Sequence, residues 1–224
     1  MAARGKKYTI PLVLLGVTVC SGGAAAYLLK IPPFKQPGEF RESAICQSLG
    51  RSTRLIPALS QTLPAESTYK FDDALLEPRV GGNGRYSTSC FVRGQEDLLL
   101  SARTEMMREE SSESWTRSKV FNNQKDKGGS LEAFGMDVKG LASASKAAIL
   151  VPCEPAGQIP GGPYSLGIIV DLKKPGTSND KEIRQSLITL TLSAAQYAHK
   201  NAECDLPPTF ATAPEREPGQ AGPG

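Results

Sequence analysis

Serine and lysine recur at a spacing that could support catalysis, and the chain carries this Ser-x-x-Lys spacing three times. The pairs are Ser67 and Lys70, Ser143 and Lys146, and Ser178 and Lys181. In serine hydrolases that use this motif, one helical turn holds the lysine beside the nucleophilic hydroxyl, and a Lys-Thr-Gly segment completes the site. Here Lys174-Pro175-Gly176 lacks the hydroxyl residue. We therefore predict that the chain is not an enzyme and needs no cofactor, and a cryptic serine hydrolase built on Ser143 is the second alternative.

Four cysteines could form either disulfides or a metal site. They are Cys46, Cys90, Cys153 and Cys204, while a fifth, Cys20, lies in an apolar segment near the amino terminus. No Cys-x-x-Cys pair occurs and the chain has 1 histidine, so a zinc site is disfavoured. An even number of cysteines in an exported domain is typical of disulfides, although three pairings remain open. Pairing of sequence neighbours would close loops of about 45 and 50 residues, each worth about 4 kcal/mol in the chain-entropy model.

The histidine, His199, lies near the end of the strongest predicted helix. Asn179 and Glu182 have the spacing of a capping box, and apolar residues recur at helical spacing from there to about Asn201. One stripe consists of Ile183, Leu187, Leu190, Ala194, Tyr197 and Ala198. A second strip, nearly opposite, consists of Ile188, Leu192 and Ala195, on the side of His199. Either another element of the domain covers this second strip, which we favour, or Ile188, Leu192 and His199 form a face for a partner.

The remaining elements follow from the hydrophobic pattern. Alternation of apolar and polar residues predicts strands over residues 85–93, 98–107, 146–153 and 164–172, with a brief strand at 136–138. Helices are predicted over residues 39–49 and after Ser111 or Ser112, and Pro57 should break a third helix at residues 52–63. The Gly-Gly-Asn-Gly run at residues 81–84 indicates a turn, because no helix follows it to cradle a phosphate.

Two stretches share the order strand, strand, capped helix. The first contains Cys90 and the second contains Cys153, each near the end of the first strand of its stretch. The predicted fold class is therefore α+β. An N-terminal transmembrane helix precedes an antiparallel sheet of four to five strands with packed helices, and the two stretches form a ββα pseudo-repeat.

The apolar segment between Ile10 and Leu29 predicts where the rest of the chain lies. Its twenty uncharged residues would span about 30 Å as a helix, the thickness of a bilayer core. Basic residues precede the segment, which predicts a cytoplasmic amino end and an extracytoplasmic domain. Two alternatives remain open: secretion after cleavage at Ala24-Ala25-Ala26, or a lipoprotein modified at Cys20, although Val19 departs from the lipobox.

This division sets the domain organisation and the charge. We expect a cytoplasmic end at residues 1–9, a transmembrane helix at 10–29, a Pro-rich stem at 30–38, an α/β domain at 39–205 and a disordered tail at 206–224. The net charge is +3, but Arg4, Lys6, Lys7 and Lys30 flank the apolar segment. Without these four, 22 basic residues face 23 acidic ones, so we expect no nucleic acid as a partner.

Four features together give a family resemblance. They are the anchor, Cys46 and Leu49 on an early helix, Tyr86 and Cys90 on a strand, and a closing amphipathic helix. The chain resembles small actinobacterial cell-envelope proteins of uncharacterised function, either membrane-anchored or exported, some of which have a PsbP-like α/β sandwich. The resemblance implies that fold and location, and it transfers no active-site residue.

The sequence therefore predicts a membrane-tethered interaction or binding domain of the cell envelope. Its expected partners are the membrane, through residues 10–29, and an envelope protein or a second copy of the chain. The first alternative is a carrier or sensor of an apolar or lipid ligand held between the sheet and the closing helix.

Overall fold

The computed structural model describes residues 38–76, 86–108, 112–121, 131–135, 139–153 and 164–204. Within them, seven strands form one sheet in the order β1-β2-β3-β7-β6-β5-β4. The strands are β1 (Lys70–Leu76), β2 (Ser87–Arg93), β3 (Leu98–Arg108), β4 (Glu132–Phe134), β5 (Gly140–Ala142), β6 (Lys146–Cys153) and β7 (Tyr164–Leu172). Every neighbouring pair is antiparallel.

The α+β class and the antiparallel sheet are confirmed, but the predicted number of four to five strands is too low. Three strands were missed: β1, β4 and β5. The strand predicted at residues 136–138 lies outside the described residues. The missed strands are either very short or, in β1, carry charges on both faces, so that they lack the alternation on which the prediction depended.

Besides two short 3₁₀ turns, three helical elements flank the sheet within the described residues. They are α1 (Leu55–Thr62), α2 (Ser112–Ser114), which continues as a π-helical turn at Trp115–Val120, and α3 (Asp180–Asn201). The capping box of α3 is present: the Asn179 side chain accepts the N–H of Glu182 at 3.0 Å, and the Glu182 carboxylate accepts the N–H of Asn179 at 3.3 Å. These two bonds satisfy backbone donors that the first helical turn leaves without partners.

Two predictions about the first helices are wrong. Residues 39–49 form two separate 3₁₀ turns, Glu42–Ala44 and Gln47–Leu49, rather than one helix. Conversely, Pro57 does not break α1, because it is the third residue of the helix. In the first turn a missing N–H costs no intrahelical hydrogen bond, so proline is tolerated there.

The main core lies between the inner face of the sheet and α3. The inner face is formed by alternate residues of the central strands, among them Cys90, Val92, Leu100, Ile149, Ile168 and Val170. Leu187 and Leu190 of α3 pack into the same cluster, and α1 lies against α3. All of these strand and α3 side chains are buried, so the space between the sheet and the closing helix is filled with side chains.

A second, smaller core covers part of the outer face. Trp115, Val120 and Phe121 pack there against Ala148 and Leu150 of β6. Gly167 permits this contact, since a Cβ atom at that position would lie 2.8 Å from the Trp115 ring. The helices of the two predicted ββα stretches therefore pack on opposite faces of the sheet, and the strand pattern alone repeats.

No helix within the described residues is both long enough and apolar enough to cross a membrane. The predicted membrane segment at 10–29, the stem up to residue 37, the turn at 81–84 and the tail at 206–224 lie outside those residues.

Candidate functional site

Two disulfides fasten the sheet to its flanking elements. Cys46 pairs with Cys90, with a Cα–Cα distance of 5.9 Å, and Cys153 pairs with Cys204, with a Cα–Cα distance of 4.9 Å. The structure thus selects the pairing of sequence neighbours from the three that the sequence left open. The first bridge joins a 3₁₀ turn to β2, and the second joins the end of β6 to the residues that follow α3. All four sulfurs are used in bridges, and the described residues contain no cluster of three or more metal-binding side chains.

The Ser143 and Lys146 pair lies in the tight turn between β5 and β6, not on a helix. The Ser143 hydroxyl accepts the N–H groups of Ser145 at 3.2 Å and of Lys146 at 3.1 Å, which stabilises the turn. The Lys146 ammonium lies 3.5 Å from the Val120 carbonyl and 4.0 Å from the Asp171 carboxylate. The Ser143 side chain therefore stabilises the turn, and the Lys146 side chain is directed toward Val120 of the second core and toward Asp171.

The other two serine–lysine pairs are also placed by local structure. The Ser67 hydroxyl accepts a hydrogen bond from Gln95 at 2.7 Å, while Lys70 begins β1. Ser178 precedes the cap of α3, and Lys181 lies in its first turn. Neither pair has the helical arrangement that the hydrolase motif requires.

His199 lies far from Ser143 and Lys146. It is 7% exposed and precedes Cys204 by five residues, at the end of the fold where Cys204 joins Cys153. Lys146 begins β6 and Cys153 ends it, which separates them by about 23 Å at 3.3 Å per residue. The structure does not bring these three candidate residues into one cleft.

The predicted partner face lies largely inside the domain. Ile188 is 4% exposed and packs in the main core, and Leu192 is half-buried against it. Helix α1 packs on a different side of α3: the Ser186 hydroxyl donates a hydrogen bond to Gln61 of α1 at 2.8 Å, and Ser186 lies about 200° around the helix from Ile188. Little apolar surface of this strip is left for a partner.

A groove of about 540 Å³ opens at the amino-terminal end of the described domain. The two 3₁₀ turns and the start of α1 form it, and its apolar wall consists of Ile45, Leu55 and Ile56. Glu42 and Arg51 place one acidic and one basic side chain on its polar rim. Its volume lies in the range of small-molecule sites, and it is the place where the described residues offer room for an apolar ligand, since the predicted space under α3 is filled.

A second open surface, which sequence reasoning missed, lies on the outer face of β1, β2 and β3. It contains a groove of about 400 Å³ lined by the carboxyl end of β1 and by facing residues of β2 and β3. Phe91 forms part of its floor, and the guanidinium of Arg103 lies 5.6 Å from the centre of that ring, a cation–π distance. The Trp115 cluster covers the other half of this face, over β5, β6 and β7.

Lys174 forms an exposed ion pair with Asp97. The pKa of Lys174 is raised above its ordinary value, first because its ammonium donates a hydrogen bond to the Asp97 carboxylate and second because of the charge of that carboxylate. This ion pair joins the β2–β3 turn to the segment after β7 and is exposed to solvent. It stabilises a surface connection rather than forming a reactive site.

No protein-family model, curated protein or solved structure matches the chain.

Proposed function

We propose that this chain is a membrane-tethered extracytoplasmic domain that acts by binding a partner rather than by catalysis. The observation that carries the proposal is the pair of disulfides, because such bridges form and persist in oxidising compartments outside the cytoplasm. A basic-flanked apolar segment of twenty residues precedes the domain and supports a single-pass anchor with the amino end inside.

The arrangement of the candidate catalytic residues and of the surface grooves supports the binding role. His199 lies far from the turn that contains Ser143 and Lys146, whereas two open grooves lie on the surface. A binding domain needs such surfaces and no activated nucleophile. The resemblance to cell-envelope proteins agrees with this location.

The proposal is tested by protease treatment of cells expressing the full chain with a carboxyl-terminal epitope. We expect external protease to remove the epitope from intact cells and carbonate washing to leave the protein in the membrane fraction. Intact mass of the purified protein then reports whether residues 1–26 are present, whether Cys20 carries lipid, and whether four hydrogens are missing because both disulfides have formed. A protected epitope together with free thiols at Cys46, Cys90, Cys153 and Cys204 would contradict an extracytoplasmic domain.

A second candidate function is capture of an apolar ligand in the amino-terminal groove. Ile45, Leu55 and Ile56 would contact the apolar part, with Glu42 and Arg51 beside a polar head. Titration with a fluorescent fatty-acid probe tests this idea, with Ile56→Glu expected to abolish saturable binding. Equal binding by the wild-type protein and by Ile56→Glu would exclude the groove as the site.

A further inference from the structure

Strand β1 is a terminal strand whose outer edge meets no other strand among the described residues. It extends over Lys70–Leu76, and all of its residues except Phe71 are exposed. Leu75 and Leu76 are 40% and 57% exposed, which is unusual for large apolar side chains. The opposite edge strand, β4, spans only Glu132–Phe134. A long, exposed edge with apolar side chains is a template for pairing with another strand.

The position of β1 is fixed by contacts on its inner side. The Asp73 carboxylate accepts a hydrogen bond from the Ser48 hydroxyl at 2.5 Å and from the N–H of Gln47 at 2.7 Å. Phe71 packs against Phe40, with ring centres 6.2 Å apart. The edge is therefore ordered before any partner arrives, which lowers the entropic cost of adding a strand.

The sequence of β1 disfavours a second copy of the same strand. If all seven residues pair antiparallel with their own copy, Asp73 faces Asp73. A shift by one residue toward the amino end sets Asp72 against Asp73, and a shift by one toward the carboxyl end sets Asp72 against Leu75. No register that pairs five or more of these residues places Lys70 opposite a carboxylate. In these registers each carboxylate faces either another carboxylate, which is destabilising, or an apolar residue, and never a cation, so the edge favours a strand of different sequence.

We infer that the outer edge of β1 accepts an extended strand of a partner protein, with basic residues opposite Asp72 and Asp73 and apolar residues opposite Leu75 and Leu76. The Asp72 carboxylate accepts one hydrogen bond from the Arg93 side chain at 3.2 Å, and an ionised carboxylate can accept several further hydrogen bonds. The groove beside Ala74 and Leu76 gives room to the outward-facing side chains of such a strand. This inference rests on the proposed binding function, for which it names the class of partner.

A synthetic peptide serves as the probe. The sequence Val-Ile-Thr-Lys-Arg-Val-Glu, paired antiparallel from Leu76 back to Lys70, sets its Lys and Arg opposite Asp73 and Asp72. The control peptide Val-Ile-Thr-Glu-Asp-Val-Lys has the same apolar residues and reversed charges. Binding to the full chain in detergent micelles is measured by fluorescence polarisation, and hydrogen exchange then locates the protected amides. We expect saturable binding of the first peptide with a Kd below about 1 mM, and protection in β1 rather than in β4.

Two variants connect the binding to this edge. Asp72→Lys should weaken the first peptide about tenfold and improve the control peptide, because one attractive cross-strand pair becomes repulsive. Leu76→Lys should weaken both peptides, and its exposed position makes it compatible with folding. Glu113→Lys is the matched control, since Glu113 forms a similarly exposed ion pair away from β1, and it should bind as the wild type does.

Four results would overturn the inference. Three are absence of saturable binding to the wild-type protein, equal affinity of the wild type and Asp72→Lys for both peptides, and protection confined to β4. The fourth is a dimer of the full chain that Leu76→Lys dissociates, which would place a second copy at this edge instead. A protected epitope in the protease experiment would contradict the extracytoplasmic location alone, whereas loss of peptide binding would contradict the strand-acceptor role alone.

Discussion

Removal of the Cys153–Cys204 disulfide should destabilise the domain by about 4 kcal/mol. The two cysteines are 51 residues apart, and the loop they close contains both β7 and α3. In the chain-entropy model, closing a loop of that length lowers the conformational entropy of the unfolded chain by about 14 cal/mol/K. This corresponds to about 4 kcal/mol of stability at 25 °C. Alanine is the right replacement, because Cys153 is fully buried and serine would bury a hydroxyl group as well.

Equilibrium unfolding in urea measures this loss with an intrinsic probe. Trp115 is the only tryptophan of the chain and packs against the sheet, so its fluorescence reports the folded core. The variant Cys153→Ala/Cys204→Ala should unfold at a lower urea midpoint, and its m-value should rise because the unfolded chain exposes more surface without the bridge. Cys20→Ala, which changes a cysteine outside both bridges, should leave the free energy of unfolding unchanged.

The two bridges should contribute independently. The Cys46–Cys90 loop ends before the Cys153–Cys204 loop begins, so closing one does not shorten the other. Loss of both should cost about 8 kcal/mol, which is comparable to the whole stability of a typical domain. A loss below about 1 kcal/mol for Cys153→Ala/Cys204→Ala, with an unchanged m-value, would refute the loop-entropy reasoning.

Three further predictions test local features of the fold. Gly50→Ala should cost about 2 kcal/mol in urea unfolding, because Gly50 has a φ of 82° and the new Cβ atom would lie 2.7 Å from a carbonyl oxygen of α3. Trp115→Ala should cost about 3–5 kcal/mol, measured by far-UV circular dichroism, because it empties the second core. Asp97→Asn should return the pKa of Lys174 toward its ordinary value in an NMR titration. Because the folded pKa is raised, the stabilisation from this pair is fully present at neutral pH and is lost as the pH rises through the folded pKa of Lys174.

The elements that could be predicted from the sequence are those whose local pattern and burial agree. Strands β6 and β7 and helix α3 begin and end where the pattern places them, and the capping box of α3 is confirmed. Their alternating or helical apolar residues face the main core along nearly the whole element. Local propensity and tertiary packing therefore favour the same structure there.

Strand β1 could not be predicted because its inner face carries a charged residue, Asp73, that makes a tertiary contact. Phe71 and Leu75 alternate with period two, but Asp73 occupies the position between them. The sequence suggests only solvated carboxylates at Asp72 and Asp73. In the structure the Asp73 carboxylate caps the 3₁₀ turn at Gln47–Leu49. It accepts a hydrogen bond from Ser48, which lies 25 residues earlier in the chain. A long-range hydrogen bond of this kind has no signature in the local pattern.

The candidate site could be predicted only in part from the sequence. The cysteines were identified, but their pairing depends on which strands adjoin, and that order is a property of the whole sheet. Ile188 and Leu192 were expected to be covered or to meet a partner, and the local pattern could not show that Ile188 is buried in the main core with Leu192 packed against that core. Both grooves are formed by segments far apart in sequence or by irregular turns, for which periodicity gives no information.

The unequal covering of the sheet leaves the β1 end as the surface that best fits the proposed partner strand. Helix α3 covers the inner face, and the Trp115 cluster covers the outer face over β5, β6 and β7. Phe91 and Arg103 on the outer face of β2 and β3 remain beside an open groove. A strand added at β1 would extend this face by one strand, about 4.8 Å, and its side chains would flank the groove. One partner segment could thus use the edge for backbone hydrogen bonds and the groove for side-chain selection, which no other surface of the described residues combines.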